Sequence, residues 1–393
     1  MRILLVVRKL NTGGVQNQVV AFAGAALKLN IETHVLILKP CKREMKLPRG
    51  VIVHRVSLKS ELFTSLRGIW SYLESQIFFP LLSSKSKDYA QGKFYSHWFT
   101  RKFLKNFADD YGPPDYIFFR AQGVFDLLHN CRDGNIYRYV DGNPHEYSGI
   151  LGKRLNYHTY RDASYICVST ELEKRMRHIT QSCHAKANIF TYHNFTDIGH
   201  IRDQADLPCS ISLPKNYIVS VGRLISGKMH SIIIETMQDL PHDLKLIIVG
   251  DGPKRRELVD LVNTHNLSSR VIFAGNQENP YPFIKNARAL VHTSIREGFG
   301  LIFLEALILN TPVVALESEG GMRDILKGPI LQQQIVPRDK TILADKIIRT
   351  IENPYTSTPD MYEMYDGVDS LKELLQLLER RKQLNITPSS GSD

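Results

Sequence analysis

YIVSVGRLISGKMHSIIIETMQDLPHDLKLIIVGDGP, residues Tyr217 to Pro253, decides the fold. YIVSVG is a near-continuous apolar run closed by glycine, as expected of a strand buried on both faces of a parallel sheet. A glycine-bearing loop follows, residues 228–239 read as a helix, and LKLIIVG (Leu244–Gly250) reads as the next strand. Strand, helix and strand in that order form a βαβ unit. Ligands bind such sheets beyond the carboxyl ends of the strands, so the loops after Val221 and Val249 are where chemistry is expected.

The alternation continues downstream. GDGP turns into the helix RRELVDLVNTHN, RVIFAG (Arg270–Gly275) is a third strand, and ARALVHTS, IFLEALIL and TPVVAL follow as strand, helix and strand. The first half repeats the plan: ILLVV (Ile3–Val7), a loop with Gly13 and Gly14, a periodic stretch Val15–Leu29, then THVLIL (Thr33–Leu38). That loop is not GxGxxG, so it is no nicotinamide fingerprint. A chain of 393 residues exceeds what one core usually serves. The expectation is an α/β protein of two facing Rossmann-like domains, 1–200 and 201–360, with a ligand cleft between them. An amphipathic helical segment (361–385) and a disordered tail (386–393) complete it.

Composition narrows the function. No stretch approaches the roughly 18 apolar residues that span a bilayer, and MRILLVVRKL reads as a first strand rather than an export signal. Five scattered cysteines without a CxxC argue for a reducing, cytoplasmic setting and against a thiolate metal site. A net charge of +10 calls for an anionic partner: a nucleotide, a phosphorylated acceptor, anionic lipid or nucleic acid.

REGFGLIFLEAL (Arg296–Leu307) holds two carboxylates eight positions apart. Gly298 and Gly300 break any single helix through it, so Glu297 is expected on a loop and Glu305 inside a helix beginning near Gly300. Free N–H groups at that helix start suit phosphate oxygens. The plainer alternatives are a helix-start charge for Glu297 and a helix-packing carboxylate for Glu305. VGRLISGKMH (Val221–His230) supplies opposite charge through Arg223 and Lys228, and arginine grips two phosphate oxygens at once. GDGP, with Gly250, FAGN, and EGGMRDIL, with Gly320 and Gly321, stand at further loops of the same sheet edge.

This order of segments resembles the family-four retaining glycosyltransferases of the GT-B fold: VGRL-x3-K, GDGP, F-x-G, E-x7-E and a GG loop, spanning Val221 to Asp324. The resemblance implies transfer of a hexose-type sugar from a nucleotide diphosphate sugar, UDP- or GDP-linked, to a hydroxyl of a glycan or lipid-linked acceptor, as in surface-polysaccharide or lipopolysaccharide synthesis. Neither a cofactor nor a metal is implied. Arg223 and Lys228 would hold the diphosphate, with Gly250 beside them, and Glu305 the ribose. Glu297 would lie near the transferred sugar, and Phe299, Gly300 and Leu301 would offer backbone N–H groups. Asp324 stands where a glutamate is common. The 361–385 segment is expected to return to the first domain.

The first half resembles the family less tightly. NTGGV (Asn11–Val15) is similar to its first glycine loop, with Gly14 approaching the donor phosphate; a turn requiring positive φ is also expected there. In YRYVDGNPHEYSG (Tyr137–Gly149) the family's strand-end histidine falls at Asp141, with His145 four residues on, so either residue is a candidate to meet sugar or acceptor. Ser83–Asn106 carries six lysines or arginines against one aspartate, interleaved with aromatics, and reads either as a solvated helix and loop or as an interfacial surface for anionic lipid at the inner face of the membrane or for an anionic acceptor. No nucleic-acid reader accompanies it. The competing functional reading is a catalytically silent or partner-activated glycan-binding subunit. Oligomeric state is not legible.

Overall fold

The computed structural model describes residues 1–11, 13–41, 44–78, 84–147 and 149–386. Thr12, Ser83 and the 387–393 part of the expected tail lie outside the described residues. Two compact units emerge, one of Met1–Thr196 with the C-terminal residues from Gly367, the other Asp197–Asp366.

In the first unit the described strands are β1 (Arg2–Val7), β2 (Glu32–Ile37), β3 (Ile52–Arg55), β4 (Tyr116–Arg120), β5 (Ile136–Val140), β6 (Ser164–Cys167) and β7 (Asn188–Thr191). They form a sheet in the order β3-β2-β1-β4-β5-β6-β7, parallel throughout. Ile3, Leu4 and Leu5 of β1 are fully buried, which is why the run is uniformly apolar. Strand order reverses between β1 and β4, the switch point where such sheets open a crevice at their carboxyl ends. The Gly13–Gly14 loop and Arg120 stand there.

The second unit repeats the arrangement. Its strands are β8 (Tyr217–Val221), β9 (Lys245–Val249), β10 (Val271–Gly275), β11 (Ala289–His292), β12 (Arg296–Glu297), β13 (Val313–Leu316), β14 (Glu319–Gly320) and β15 (Ile335–Val336). The main sheet runs β10-β9-β8-β11-β13-β15, and β12 pairs with β14 alone. Its switch point lies between β8 and β11, so the loops after Val221 and His292 share that edge. The helix expected from residue 228 begins instead at His230, because Ser226–Lys228 forms a 3-10 turn and Met229 adopts a left-handed conformation (φ 50).

The helix Gly367–Ile386 packs within the first unit on the helix Gly14–Lys28. Leu371, Leu374 and Leu378 are fully buried, Arg381 donates to Asn188 Oδ1 at 3.1 Å, and Tyr116 Oη donates to Glu379. Lys382 caps the Tyr116 ring, its Nζ 3.9 Å from the centroid. The C-terminal helix is thus part of the first core. Leu374→Ala should lower stability by about 2–5 kcal/mol, read as a drop in the urea midpoint of the first unit; an unchanged midpoint would show that the helix is dispensable.

Candidate active site

At the carboxyl edge of the second sheet, loops meet backbone to backbone. Gly250 (φ 140) lies so close to the loop after β8 that a Cβ there would stand 2.0 Å from Gly222 O. Leu224 N donates to Asp251 O and Lys254 N to Leu224 O, both at 3.0 Å, lacing the GDGP loop to the Arg223 loop. Gly321 N donates to the carbonyls of Glu297 (3.2 Å) and Gly298 (3.1 Å), so the GG loop carries the first glutamate. Gly300 (φ 93) opens the helix Leu301–Ile308 with no side chain capping its first N–H groups. Phe299 is buried against the Tyr365 ring, centroids 5.6 Å apart.

The structure brings Lys228 and Glu297 together as an ion pair across 69 residues. His292 Nε2, at the end of β11, lies 2.7 Å from Glu297 Oε1, at hydrogen-bonding distance though without hydrogen-bond alignment. Burial alone pushes the Glu297 carboxyl up, but the His292 ring and the Lys228 ammonium outweigh it and hold the group at about 2. His230 is buried beside them with Nδ1 3.3 Å from Ser220 Oγ. Burial first, then His292 and Lys228, pulls its ring down to about 4. Thr293 Oγ1 donates to the Lys228 and Met229 carbonyls (3.0 and 2.9 Å), and Arg338 donates to the carbonyls of Thr293, Ser294 and Glu317. These bonds fix the lysine loop against the glutamate loop. Arg223 is exposed and has no side-chain partner among the described residues.

Glu305 is placed differently. It lies within the helix, largely buried, and no cation or donor among the described residues meets its carboxylate. Burial pushes it up to about 8, and it raises the buried Tyr281 phenol in turn, behind the effect of that ring's own burial. The two glutamates of one motif therefore have opposite electrostatic characters.

In the first unit Asp141 does not face open space. Arg120 NH2 donates to its Oδ1 at 2.8 Å and to Asn194 Oδ1 at 3.2 Å, with both side chains of the ion pair almost wholly buried. The guanidinium also lies 3.9 Å from the Tyr139 ring centroid. Burial pushes the Asp141 carboxyl up, and Arg120 only partly opposes this. Asp141 Oδ2 and Arg120 Nε remain buried without partners. His145 sits apart, its Nδ1 3.1 Å from Asp126 Oδ2, with Tyr160 Oη donating to its carbonyl at 2.5 Å. Gly14 starts the helix Gly14–Lys28, and its φ is not positive; the positive φ expected there is absent because Gly13, in extended conformation, makes the turn. A Cβ at Gly14 would meet nothing within 4 Å.

Sequence reading missed His292, His230, Arg120 and Asp126. The signal for two of them was present: YIFFR and ALVH are apolar strands ending in a polar residue at the ligand edge. Among the described residues no group of three or more His, Cys, Asp or Glu is placed to hold a metal ion.

Two parallel-sheet lobes with helices on their faces define the GT-B class of fold, and the comparisons with known proteins agree. Residues 208–366, less than half of the chain, match the family described as "Glycosyl transferases group 1". The chain is 35% identical over 115 residues to the Campylobacter jejuni N-acetylgalactosamine-N,N'-diacetylbacillosaminyl-diphospho-undecaprenol 4-alpha-N-acetylgalactosaminyltransferase, covering 29% of this chain and 32% of that protein. It is 32% identical over 174 residues to the Rhizobium meliloti lipopolysaccharide core biosynthesis glycosyltransferase LpsE, covering 42% and 50%. The matches thus span half or less of those relatives. Anabaena Alr3699/HepE in complex with UDP and glucose superposes with a TM-score of 0.67 at 16% identity, covering 97% of this chain and 100% of that one, a likeness of fold.

The raised Glu305 pKa carries a signed consequence. Between the ordinary carboxylate range and about pH 8 the folded chain holds a proton that the unfolded chain has released. Stability contributed by the neutral form is therefore complete below that range and is lost as pH rises to about 8. Glu305→Gln, which cannot ionise, should gain stability relative to wild type from about pH 5 to pH 8, measured as the difference between urea midpoints. A difference independent of pH would mean that Glu305 titrates normally.

Proposed function

We propose that the protein is a retaining glycosyltransferase, moving a hexose-type sugar from a nucleotide diphosphate sugar to a hydroxyl of a glycan or lipid-linked acceptor at the cytoplasmic face of a membrane. The observation that carries this reading is the Lys228–Glu297–His292 cluster at the switch point of the second sheet. Lys228 and Arg223 on the loop after β8 together exceed the one carboxylate there, and a diphosphate would complete the balance. Lys228 is held by Glu297 until donor phosphate competes for it; the released carboxylate then accepts hydroxyls of the sugar or faces the charge growing at its anomeric carbon. Arg223, with no side-chain partner among the described residues, clamps the diphosphate from the loop it shares with Lys228. Glu305, without a side-chain partner among the described residues, accepts from the ribose hydroxyls. Gly250 lets the GDGP loop approach, and the backbone at Phe299, Gly300 and Leu301 turns N–H groups towards sugar and phosphate.

In this scheme stabilisation comes from fixed charges rather than proton transfer, and Glu297 is no nucleophile: the departing phosphate oxygen takes the acceptor's proton on the same face. His145, oriented by Asp126, is the better candidate to meet the sugar or acceptor, since Asp141 is already committed to Arg120. Gly14 serves by letting backbone come close to the donor, there being no steric demand within the chain for glycine. The names of the Campylobacter and Rhizobium relatives favour an acceptor of the lipid-linked or lipopolysaccharide kind. The second reading, a silent glycan-binding subunit, keeps the fold but predicts no turnover.

Calorimetric titration with uridine, guanosine and adenosine diphosphates, without added metal, tests the donor site. One nucleotide should bind saturably, and Arg223→Ala or Lys228→Ala should each weaken it roughly 10- to 100-fold, the value of a charge-assisted hydrogen bond. No binding by folded protein would sink the proposal. Binding without acceptor elongation would favour the silent subunit.

A further inference from the structure

Eleven large hydrophobic side chains are exposed among the described residues, and five of them, Phe63, Leu66, Ile69, Trp70 and Leu73, fall within eleven consecutive positions of the first unit. Four belong to the helix Leu66–Phe78. At about 100° per residue, Leu66, Ile69, Trp70 and Leu73 occupy one arc roughly 100° wide. Leu66 is 86% and Trp70 70% exposed. The opposite face carries Gly68 and Ser75, both buried. A Cβ on Gly68 would lie 2.1 Å from Leu62 O, so the helix is held tightly against the segment Leu58–Leu62 by its smallest residue. Gln91 donates to Ser75 Oγ at 2.9 Å from the helix packed alongside. The usual amphipathic order is inverted: small and polar residues meet the protein, and large apolar ones meet solvent.

We infer that this face docks on an anionic phospholipid surface, with Trp70 and Leu66 entering the boundary between headgroups and acyl chains. Charge selects this occupant. Arg67 stands beside the apolar arc and Lys59 belongs to the short helix that precedes it, both exposed and without side-chain partners among the described residues. Lys102, from the basic stretch, reaches Glu61 at 2.8 Å, neutralising that carboxylate and bringing the stretch to the border of the patch. Glu74 is the one exposed acid on the described face. A tryptophan amid aliphatics with cations at the rim is the composition of a helix lying in a membrane interface. The basic stretch alone does not provide this surface, since its Tyr95, Trp98 and Phe99 are buried in the core. The inference takes from the transferase reading only the expectation of a lipid-linked acceptor, and vesicle binding is read without turnover.

The test is co-sedimentation of the full chain with phosphatidylcholine vesicles, with and without phosphatidylglycerol. The protein has two tryptophans and Trp98 is buried, so a blue shift of fluorescence on binding reports Trp70. Binding should require phosphatidylglycerol, weaken with salt, and fall at least about tenfold in the Leu66→Glu/Leu73→Glu protein. Lys59→Glu/Arg67→Glu should lower it while the nucleotide titration stays that of wild type. Absent binding, or binding indifferent to Leu66→Glu/Leu73→Glu, overturns the inference. So does a dimer in sedimentation velocity that Leu66→Glu/Leu73→Glu dissociates while vesicles fail to bind, which would assign the face to a second copy. Vesicle binding with no nucleotide binding would sink the transferase reading and leave this one standing.

Discussion

Glu297 and Gly320 approach so closely that a Cβ on the glycine would stand 1.6 Å from the Glu297 carbonyl oxygen. The candidate site depends on this contact. It pairs β12 with β14, Arg296 opposite Glu319 and Glu297 opposite Gly320, and so fixes the glutamate by its backbone before any side chain acts. Gly250 against Gly222 does the same between the GDGP loop and the loop that presents both Arg223 and Lys228. Loops that would otherwise move singly are tied into one rim, with the Arg338 guanidinium holding three of its carbonyls from beneath. Preorganisation of this sort lets fixed charges stabilise a transition state without being rearranged first.

Three buried or nearly buried carboxylates show how partners decide charge. Glu297 has a lysine and a histidine at contact and is held at about 2 despite burial. Asp141 has one arginine, shared with Asn194 and stacked on Tyr139, and burial prevails. Glu305 has no cation at contact among the described residues, and burial raises it to about 8. Desolvation acts in the same direction on all three; the number and closeness of cations set the outcome. An ionised carboxylate among cations and a neutral one among apolar side chains are suited to different work, the first to positive or hydroxyl-bearing groups, the second to neutral hydroxyls.

Much of this was legible in the sequence. Apolar runs such as ILLVV and LKLIIVG, each closed by a loop and a helix, marked parallel strands because a strand covered on both faces has no reason to alternate. The glycines at 222, 250, 300 and 320 marked positions where backbone must turn or approach. Glu297 and Lys228 were expected on the same sheet edge, since each follows a strand of one βαβ series. The chain by itself therefore determined the fold class, the edge that carries chemistry and the residue types gathered there.

Only the tertiary structure decided which charges meet. Asp141 occupies the place where a sugar-facing residue was expected, yet Arg120, 21 residues earlier, claims it. Lys228 joins Glu297 and His292 because β11 ends beside the loop that follows β8, a neighbourhood set by strand order rather than by spacing. The helix Leu66–Phe78 has an ordinary amphipathic sequence; which of its faces meets water was settled by the close approach of Gly68 to Leu62. Sequence periodicity fixes which residues share a face or an edge. The partner of that face comes from contacts between segments far apart in the chain, and these govern the energies of buried charge and exposed apolar surface.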